Sequence, residues 1–366
     1  MSSQIQQKVA TALAALIDPN TTKNLQDSGF IHSITETSTG VDVKIRFSYP
    51  QTDTQLVSWR QQIDTALEKD STLPTIKLSL EWKVLAHKVQ AELKPLAGIK
   101  NILVVASGKG GVGKSTTAVN IAAALQLQGA RVGMLDADIY GPSLPRMLGL
   151  VGKPKVKDEK FIPKFSQGMP VMSMGFLVDE QTPMVWRGPM VTSALQQLLN
   201  ETRWMEDGQP LDYLIMDLPP GTGDIQLTLA QKIPVAGAII VTTPQDIALQ
   251  DARKGLEMFK QVKVPVLGVV ENMSLHICVN CGHEEALFGT GGGQNMATAT
   301  ELPLLGQLPL ELKIRELTDA GDPIVRAQPQ SAATQAYIKA ALRAVGELSQ
   351  QARDRSSGMP EFIVQS

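Results

Sequence analysis

Residues 108–115 read Gly-Lys-Gly-Gly-Val-Gly-Lys-Ser and fit the phosphate-loop pattern G-x-x-x-x-G-K-[ST]. An apolar stretch at 102–106 precedes this run and an amphipathic stretch at 117–128 follows it, which predicts a loop between a buried strand and a helix. Glycines let successive backbone N–H groups turn toward an anion, and the helix N-terminus adds partial positive charge. The alternative is a plain glycine-rich turn. The expected phosphate-binding residues are Gly108, Lys109, Gly110, Gly111, Val112, Gly113, Lys114, Ser115 and Thr116.

Further apolar runs indicate the fold around this loop. They lie at 132–135, 213–216, 236–241 and 264–270 and alternate with helical patterns. Near-continuous apolar runs are typical of strands buried on both faces of a parallel sheet. The pattern predicts an α/β domain over residues 101–350, with a doubly wound, mostly parallel sheet of the P-loop NTPase kind.

The segments outside this domain have a different character. Residues 1–90 alternate helical and strand patterns and predict a small α+β domain. Residues 91–100 are expected to be a linker, because the segment around Pro95 is short and polar. Residues 351–366 are expected to be a loosely held tail.

Two strand ends carry carboxylates that could serve the loop. Asp138 follows the run at 132–135, and Asp217 ends the run at 213–216. Carboxyl ends of parallel strands meet at one edge of the sheet, where Mg²⁺ needs hard oxygen ligands. We therefore predict that Asp217 and the Ser115 hydroxyl hold Mg²⁺, with Lys114 reaching the β- and γ-phosphates. Read alone, each aspartate also fits a strand-end turn or a helix cap.

Composition excludes several classes of protein. The 366 residues include 36 acidic and 34 basic side chains, and this near balance argues against binding nucleic acid by bulk charge. Two cysteines cannot build a disulfide framework. The N-terminus makes a poor signal peptide, and no stretch approaches the roughly 18 apolar residues of a spanning helix. We expect a cytoplasmic protein with no membrane partner and no nucleic-acid partner.

The two cysteines lie together as Cys278-Val279-Asn280-Cys281, a spacing that lets two thiolates reach one metal. A redox dithiol is one reading of this pair. Zinc held within one chain is another, with His276 and His283 as further ligands, although the spacing of these histidines is short. The third reading is a site shared by two chains, with two thiolates from each.

The second lysine of the loop, Lys109, makes the chain resemble the deviant Walker A ATPases. In that group the extra lysine contacts the nucleotide of a partner subunit, so the resemblance implies a homodimer and catalytic roles for Lys109 and Lys114. Asp138 matches the switch I aspartate that positions the attacking water. Asn272 matches the asparagine that reads adenine.

Residues 95–350 further resemble the Mrp (ApbC-like) family of iron–sulfur cluster carriers. The matching motifs are SGKGGVGKST, DADIYGPS, the Trp186-Arg187-Gly188-Pro189 block, DLPPGTGD, Glu271-Asn272-Met273 and the cysteine pair. The resemblance implies ATP, Mg²⁺ and a [4Fe–4S] cluster bridging two subunits through Cys278 and Cys281. It also implies slow ATP hydrolysis, with apo iron–sulfur clients and cluster-assembly scaffolds as partners.

The first 90 residues resemble a metal–sulfur cluster assembly domain. Relatives of that domain often carry a cysteine after the second main strand, where this chain has Ser48-Tyr49-Pro50-Gln51 and no cysteine, so docking is the expected role rather than ligation.

Three other functions share part of this sequence pattern. A MinD- or ParA-like positioning ATPase shares the loop, but this chain offers neither a basic DNA surface nor a basic amphipathic tail. A reductase like nitrogenase iron protein would need a cysteine near 217–224, and none is there. The third is a zinc-pinned scaffold dimer whose nucleotide only sets shape.

Overall fold

The structure is a computed structural model, and it describes residues 4–177, 188–205, 207–278 and 281–354. Two groups of elements follow each other along the chain. The first group is α1 (Gln4–Ala14), β1 (Ile31–Thr37), β2 (Gly40–Phe47), α2 (Asp53–Leu67) and β3 (Ile76–Trp82).

The first group is a three-stranded sheet covered by two helices. The strand order is β1-β2-β3, with β1 antiparallel and β3 parallel to β2. Helix α2 starts at a capping box, in which the Thr52 side chain and Gln55 satisfy each other's backbone N–H groups. Its apolar face at Trp59, Ile63 and Leu67 is buried, because these residues recur every fourth position.

The second group carries the phosphate loop and is built on an eight-stranded sheet. Its order is β15-β12-β11-β4-β10-β5-β9-β8, and every neighbouring pair is parallel except β8 with β9. This sheet confirms the predicted doubly wound, mostly parallel architecture. The elements are β4 (Ile99–Ala106), α3 (Lys114–Leu127), β5 (Val132–Asp136), α4 (Leu144–Met147), β6 (Lys155–Lys157), β7 (Lys160–Ile162), β8 (Lys164–Ser166), β9 (Met169–Ser173), α5 (Gly188–Glu201), β10 (Leu211–Asp217), α6 (Asp224–Lys232), β11 (Gly237–Thr242), α7 (Asp246–Gln261), β12 (Val266–Glu271), β13 (His276–Ile277), β14 (Glu284–Glu285), α8 (Gly292–Ala299), β15 (Leu304–Gln307), α9 (Leu312–Asp319), α10 (Ile324–Ala327) and α11 (Ala332–Ser349).

Strand β4 lies at the point where the chain changes direction across the sheet. After β4 the chain passes to β5 on one side, with β10 between them, and it later adds β11 on the other side. Loops at the carboxyl ends of strands open a crevice at such a point. In the register of β10, Asp217 stands opposite Val105 of β4 and Asp136 of β5. The fold therefore gathers the predicted acidic residues beside the phosphate loop.

The segment between the two groups is bound to its surroundings. Strand β4 begins at Ile99, inside the predicted linker 91–100. Gln90 donates to the carbonyls of Ala230 and Ile233 at the end of α6, at 2.6 and 3.1 Å. Residues 86–88 also pair with residues 352–354 through two backbone hydrogen bonds of 2.8 and 2.9 Å. The first residues of the predicted tail 351–366 are therefore bonded, while residues 355–366 lie outside the described ranges.

His87 is buried at this junction, and we therefore expect the protein to lose stability in acid. Its Nδ1 donates to Asn101 Oδ1 at 2.9 Å, and burial lowers its pKa below the ordinary 6.5. As pH falls through 6.5, His87 becomes protonated in the unfolded chain but stays neutral in the folded chain. The free energy of unfolding therefore keeps the full contribution of His87 above pH 6.5 and declines below it. We expect urea unfolding to show a falling free energy between pH 7 and pH 5, by at most about 1.4 kcal/mol per pH unit.

His87→Asn keeps a donor near the Nδ1 position but does not titrate, so this part of the pH dependence should disappear. The matched control is His32→Asn, because His32 is exposed and should leave the wild-type profile intact. A His87→Asn variant with the full wild-type acid dependence would contradict the assignment.

Candidate functional site: a phosphate loop, a base cavity and a cysteine hairpin

The phosphate loop occupies the turn between β4 and α3, as predicted. Gly111 and Gly113 have φ angles of +82° and +80°, a backbone region that glycine enters without steric cost. Gly108 lies against α7: a Cβ there would stand 2.1 Å from the backbone carbon of Asp251. A larger residue at 108 would therefore push α7 away from the loop. Lys109 is half-buried at the loop's outer side.

Lys114 is the cation of the site. Its Nζ lies 2.5 Å from Asp217 Oδ1 and 3.7 Å from Asp138 Oδ2, and its side chain is 6% exposed. It also donates to the Ser115 hydroxyl at 3.3 Å. Burial raises the pKa of Asp217, and the Lys114 ammonium acts against that rise. The structure thus brings four predicted residues together: Lys114, Ser115, Asp138 and Asp217.

The second oxygen of Asp217 points to a missing ligand. Asp217 Oδ2 is buried and has no hydrogen-bond partner among the residues that the structure describes. A buried carboxylate oxygen without a donor is costly unless something positive reaches it. The Ser115 hydroxyl stands beside the same ammonium. This pair of hard oxygen atoms fits Mg²⁺, and the glycine turn fits a nucleotide's phosphates.

Asp136 is a buried residue of the site that the sequence analysis did not predict. It is fully buried, and its Oδ2 accepts from the backbone N–H groups of Ser143 and Leu144 and from the Ser173 hydroxyl at 3.0–3.1 Å. Burial and the charge of Asp217 raise the pKa of Asp136 to about 7. Asp136 thus ties the loop after β5, which carries Asp138, to strand β9. The Asp-x-Asp spacing at the end of β5 was the available signal.

The segment after Asp217 connects the loop to α6. Gly221 has a φ of +101° and donates its N–H to the carbonyl of Ser107 at 2.9 Å. The Gln226 side chain donates to the carbonyl of Pro220 at 2.5 Å. Residues 218–224 are therefore held between the start of the phosphate loop and the first turn of α6. The DLPPGTGD motif at 217–224 thus lies beside the phosphate loop.

A larger open cleft of about 800 Å³ lies beside this segment. It is lined by Tyr140, by the first residues of α5 including Gly188 and Pro189, and by the first residues of α6. Trp186 and Arg187 of the motif noted in the sequence lie outside the described residues. Helix α5 begins at Gly188, directly after these two residues of the motif.

A cavity of about 280 Å³ adjoins the phosphate loop at Asn272. Asn272 Nδ2 donates to the carbonyl of Val112 at 2.9 Å, so this amide is fixed against the loop. The other walls are mostly apolar and are formed by Met147, Met273, Pro309, Leu310, Glu311, Ile314, Arg315 and Tyr337. A flat apolar ring with polar edges fits a space of this size and lining.

The cysteine pair lies on a separate small hairpin. Strands β13 and β14 pair antiparallel, and Cys278 donates its N–H to the carbonyl of His283 at 2.9 Å. Gly282 has a φ of +70° and lets the chain turn back after Cys281. Cys281 is exposed and Cys278 is half-buried. Residues 279 and 280 lie outside the described ranges.

The two neighbouring histidines face different surroundings. His276 Nδ1 lies 3.0 Å from the carbonyl of Leu310, and His283 is exposed. Among the described residues, no group of three or more His, Cys, Asp or Glu side chains is placed to hold one metal ion. A complete metal site at the hairpin would therefore need ligands other than the described residues of a single chain.

The family described as NUBPL iron-transfer P-loop NTPase matches residues 98–345. The chain belongs to this family. A second family, described as iron–sulfur cluster assembly protein, matches residues 6–75. Two family descriptions thus cover the two groups of elements.

Curated relatives of this NUBPL-family chain carry consistent names. The "iron-sulfur cluster carrier protein" of Pseudomonas fragi is 57% identical over 272 residues, which cover 74% of this chain and 93% of the relative. The protein of that name from Synechocystis is 44% identical and covers 93% of this chain and 97% of its own. The mouse "iron-sulfur cluster transfer protein NUBPL" is 52% identical and covers 70% of this chain and 80% of its own.

Solved structures agree on the fold of this NUBPL-family chain. A nucleotide-binding protein of Archaeoglobus fulgidus in complex with ADP has a TM-score of 0.55 and 36% identity, covering 65% of this chain and 91% of its own. The cell division ATPase MinD of Pyrococcus furiosus has a TM-score of 0.50 and 24% identity, covering 66% and 97%. Among the described residues, no helix has the length and apolar character that crossing a bilayer requires.

Proposed function

We propose that this chain is an ATP-dependent iron–sulfur cluster carrier that binds a cluster between two copies of itself and transfers it to apo-proteins. The observation that carries the proposal is the hairpin that presents Cys278 half-buried and Cys281 exposed on a P-loop fold, in a chain whose relatives are named as cluster carriers. The cluster is cargo in this scheme, and the nucleotide is the resident ligand. A reducing cytoplasm would keep both thiols available for the cluster.

The nucleotide part of the proposal assigns roles to the gathered side chains. Residues 108–116 would wrap the phosphates with backbone N–H groups, and Lys114 would leave Asp217 to pair with the β- and γ-phosphates. Ser115 and Asp217 would hold Mg²⁺, which neutralises phosphate charge when bound. Asp138 is close enough to Lys114 to orient a water at the γ-phosphate, and Asn272 would read the base.

The cluster part needs a second copy of the chain. One chain offers two thiolates, and a [4Fe–4S] cluster takes four. A homodimer with Cys278 and Cys281 from each subunit supplies them. The first 90 residues would dock cluster-assembly scaffolds or apo clients, because they contain no cysteine that could hold the cluster.

The test is anaerobic reconstitution with iron and sulfide, followed by metal and sulfide analysis. We expect about four irons and four sulfides per two chains. Mg-ATP should change the rate at which the loaded protein activates an apo iron–sulfur enzyme. Zinc in place of iron, with no acid-labile sulfide, would favour a zinc-pinned scaffold and overturn the proposal.

Lys109→Ala should separate hydrolysis from nucleotide binding. If Lys109 serves the partner's nucleotide, its loss should lower ATP hydrolysis by about three orders of magnitude or more, as for other cations supplied to a transferring phosphoryl group. ADP affinity, measured by calorimetry on the monomer, should stay at the wild-type value.

Mixing variants tests whether this lysine acts across the dimer. A Lys109→Ala subunit keeps its own Lys114, and a Lys114→Ala subunit keeps its own Lys109. A mixed dimer therefore regains one complete site if Lys109 acts on the partner's nucleotide. Equal inactivity of mixed and unmixed samples would show that Lys109 works within its own chain.

A further inference from the structure

The cysteine hairpin follows directly, along the chain, from residues that line the cavity beside Asn272. Asn272 and Met273 line the cavity, and the chain runs on from them through Ser274 to the first strand of the hairpin. A second wall segment, formed by Pro309, Leu310 and Glu311, lines the same cavity. Cavity and hairpin are therefore adjacent parts of one stretch of chain.

Four hydrogen bonds join these two walls at the root of the hairpin. Ser274 donates its N–H and its hydroxyl to the carbonyl of Leu308, at 3.0 and 3.1 Å. Leu310 donates its N–H to the carbonyl of Leu275 at 2.8 Å. His276 Nδ1 donates to the carbonyl of Leu310 at 3.0 Å, which fixes its proton on Nδ1.

The junction between cavity and hairpin also stores strain. Met273 has a φ of +56°, a region that costs free energy for a residue with a side chain. It stands between Asn272, which is bonded to the phosphate loop, and Ser274, which is bonded to the carbonyl of Leu308. A base that contacts Met273 and Leu310 would shift the hairpin, because Met273 leads into its first strand and Leu310 is hydrogen-bonded to Leu275 and His276.

We propose that the nucleotide base, through His276 and the 308–310 wall, sets the arrangement of Cys278 and Cys281. The base and the cluster would then contact connected parts of one segment. By thermodynamic linkage, binding of either one changes the protein's affinity for the other by the same factor. His276 is a positioning residue in this scheme and not a cluster ligand. The inference rests on the proposed function, because it assumes that a base occupies the cavity beside Asn272.

The test needs no iron. Cys278 and Cys281 are the only two cysteines of the chain, so the rate at which a thiol reagent labels the reduced, metal-free protein reports on the hairpin alone. Mg-ADP supplies base and phosphates, whereas Mg-pyrophosphate supplies phosphates without a base. We expect saturating Mg-ADP to change the labelling rate by about fivefold or more, and Mg-pyrophosphate to change it by less than about twofold. An equal effect of the two ligands, or no effect of Mg-ADP, would overturn the proposal.

Substitutions at the hairpin root locate the route. His276→Ala removes the donor to Leu310 and should abolish the Mg-ADP effect, while His276→Asn keeps a donor near the Nδ1 position and should restore it. His283→Ala is the matched control, since His283 also lies two residues from a cysteine but is exposed. Calorimetry should show Mg-ADP still binding to all three variants, which separates lost coupling from lost folding. A full Mg-ADP effect in His276→Ala would exclude His276 from the route.

The outcome is independent of cluster chemistry. If reconstitution yields no cluster while Mg-ADP still changes thiol labelling, the carrier function is wrong and the coupling stands. If clusters form while Mg-ADP leaves the thiols unaffected, the coupling is wrong and the carrier function stands.

Discussion

Replacing Lys114 with alanine should abolish ATP hydrolysis and also destabilise the protein without any ligand. Lys114 is the buried cation beside Asp217, at 2.5 Å, and Asp138, at 3.7 Å. Removing one partner of a buried ion pair typically costs about 3–5 kcal/mol, because the remaining charge stays buried. We expect a loss of this size in the free energy of urea unfolding, together with hydrolysis at the background rate.

A second substitution separates the two effects. Lys114→Ala/Asp217→Asn removes both charges and should recover most of the lost stability while remaining inactive. If Lys114→Ala alone unfolds like the wild type, Asp217 is protonated in the folded protein and the ion pair does not stabilise it. Hydrolysis at the wild-type rate in Lys114→Ala would show that this lysine does not serve the phosphates.

Replacing Cys278 with serine should remove the cluster and leave the nucleotide site intact. Loss of residues that only orient metal ligands costs about 10- to 100-fold in metal affinity, so loss of a direct thiolate ligand should cost at least as much. A bridging cluster loses two ligands per dimer at once. We expect the iron content after anaerobic reconstitution to fall at least about tenfold.

The accompanying measurements isolate the ligand role. Cys281→Ser should behave in the same way, and His283→Ala should keep the wild-type iron content because its side chain is not assigned to the cluster. Mg-ADP affinity should be unchanged in all three variants. A Cys278→Ser protein that retains a full cluster would rule out bridging by this pair.

The sequence predicted the fold and the chemical centre well, for a physical reason. Buried parallel strands and the phosphate loop are local patterns, and helix α3, predicted over 117–128, spans Lys114–Leu127. The convergence of Lys114, Asp138 and Asp217 followed from one rule, that the carboxyl ends of parallel strands share an edge.

What the sequence missed depends on contacts between distant segments. The carbonyls of Leu308 and Leu310 accept hydrogen bonds from Ser274 and His276, which lie 34 residues earlier in the chain. No local sequence pattern predicts these contacts. Burial of Asp136 against Ser173 is equally non-local. The segment around Pro95 was predicted as a linker from its polar composition, yet β4 begins inside it at Ile99, and side-chain hydrogen bonds hold His87 and Gln90 just before it.

The pairing of residues 86–88 with residues 352–354 also bears on how the protein is made. The two partners lie more than 260 residues apart in the chain, so residues 352–354 leave the ribosome long after residues 86–88. The first 90 residues can fold early, since domains fold as units during synthesis. Their attachment to the P-loop NTPase fold can be completed only after α11 has been synthesised, because residues 352–354, which supply part of the seam, follow that helix.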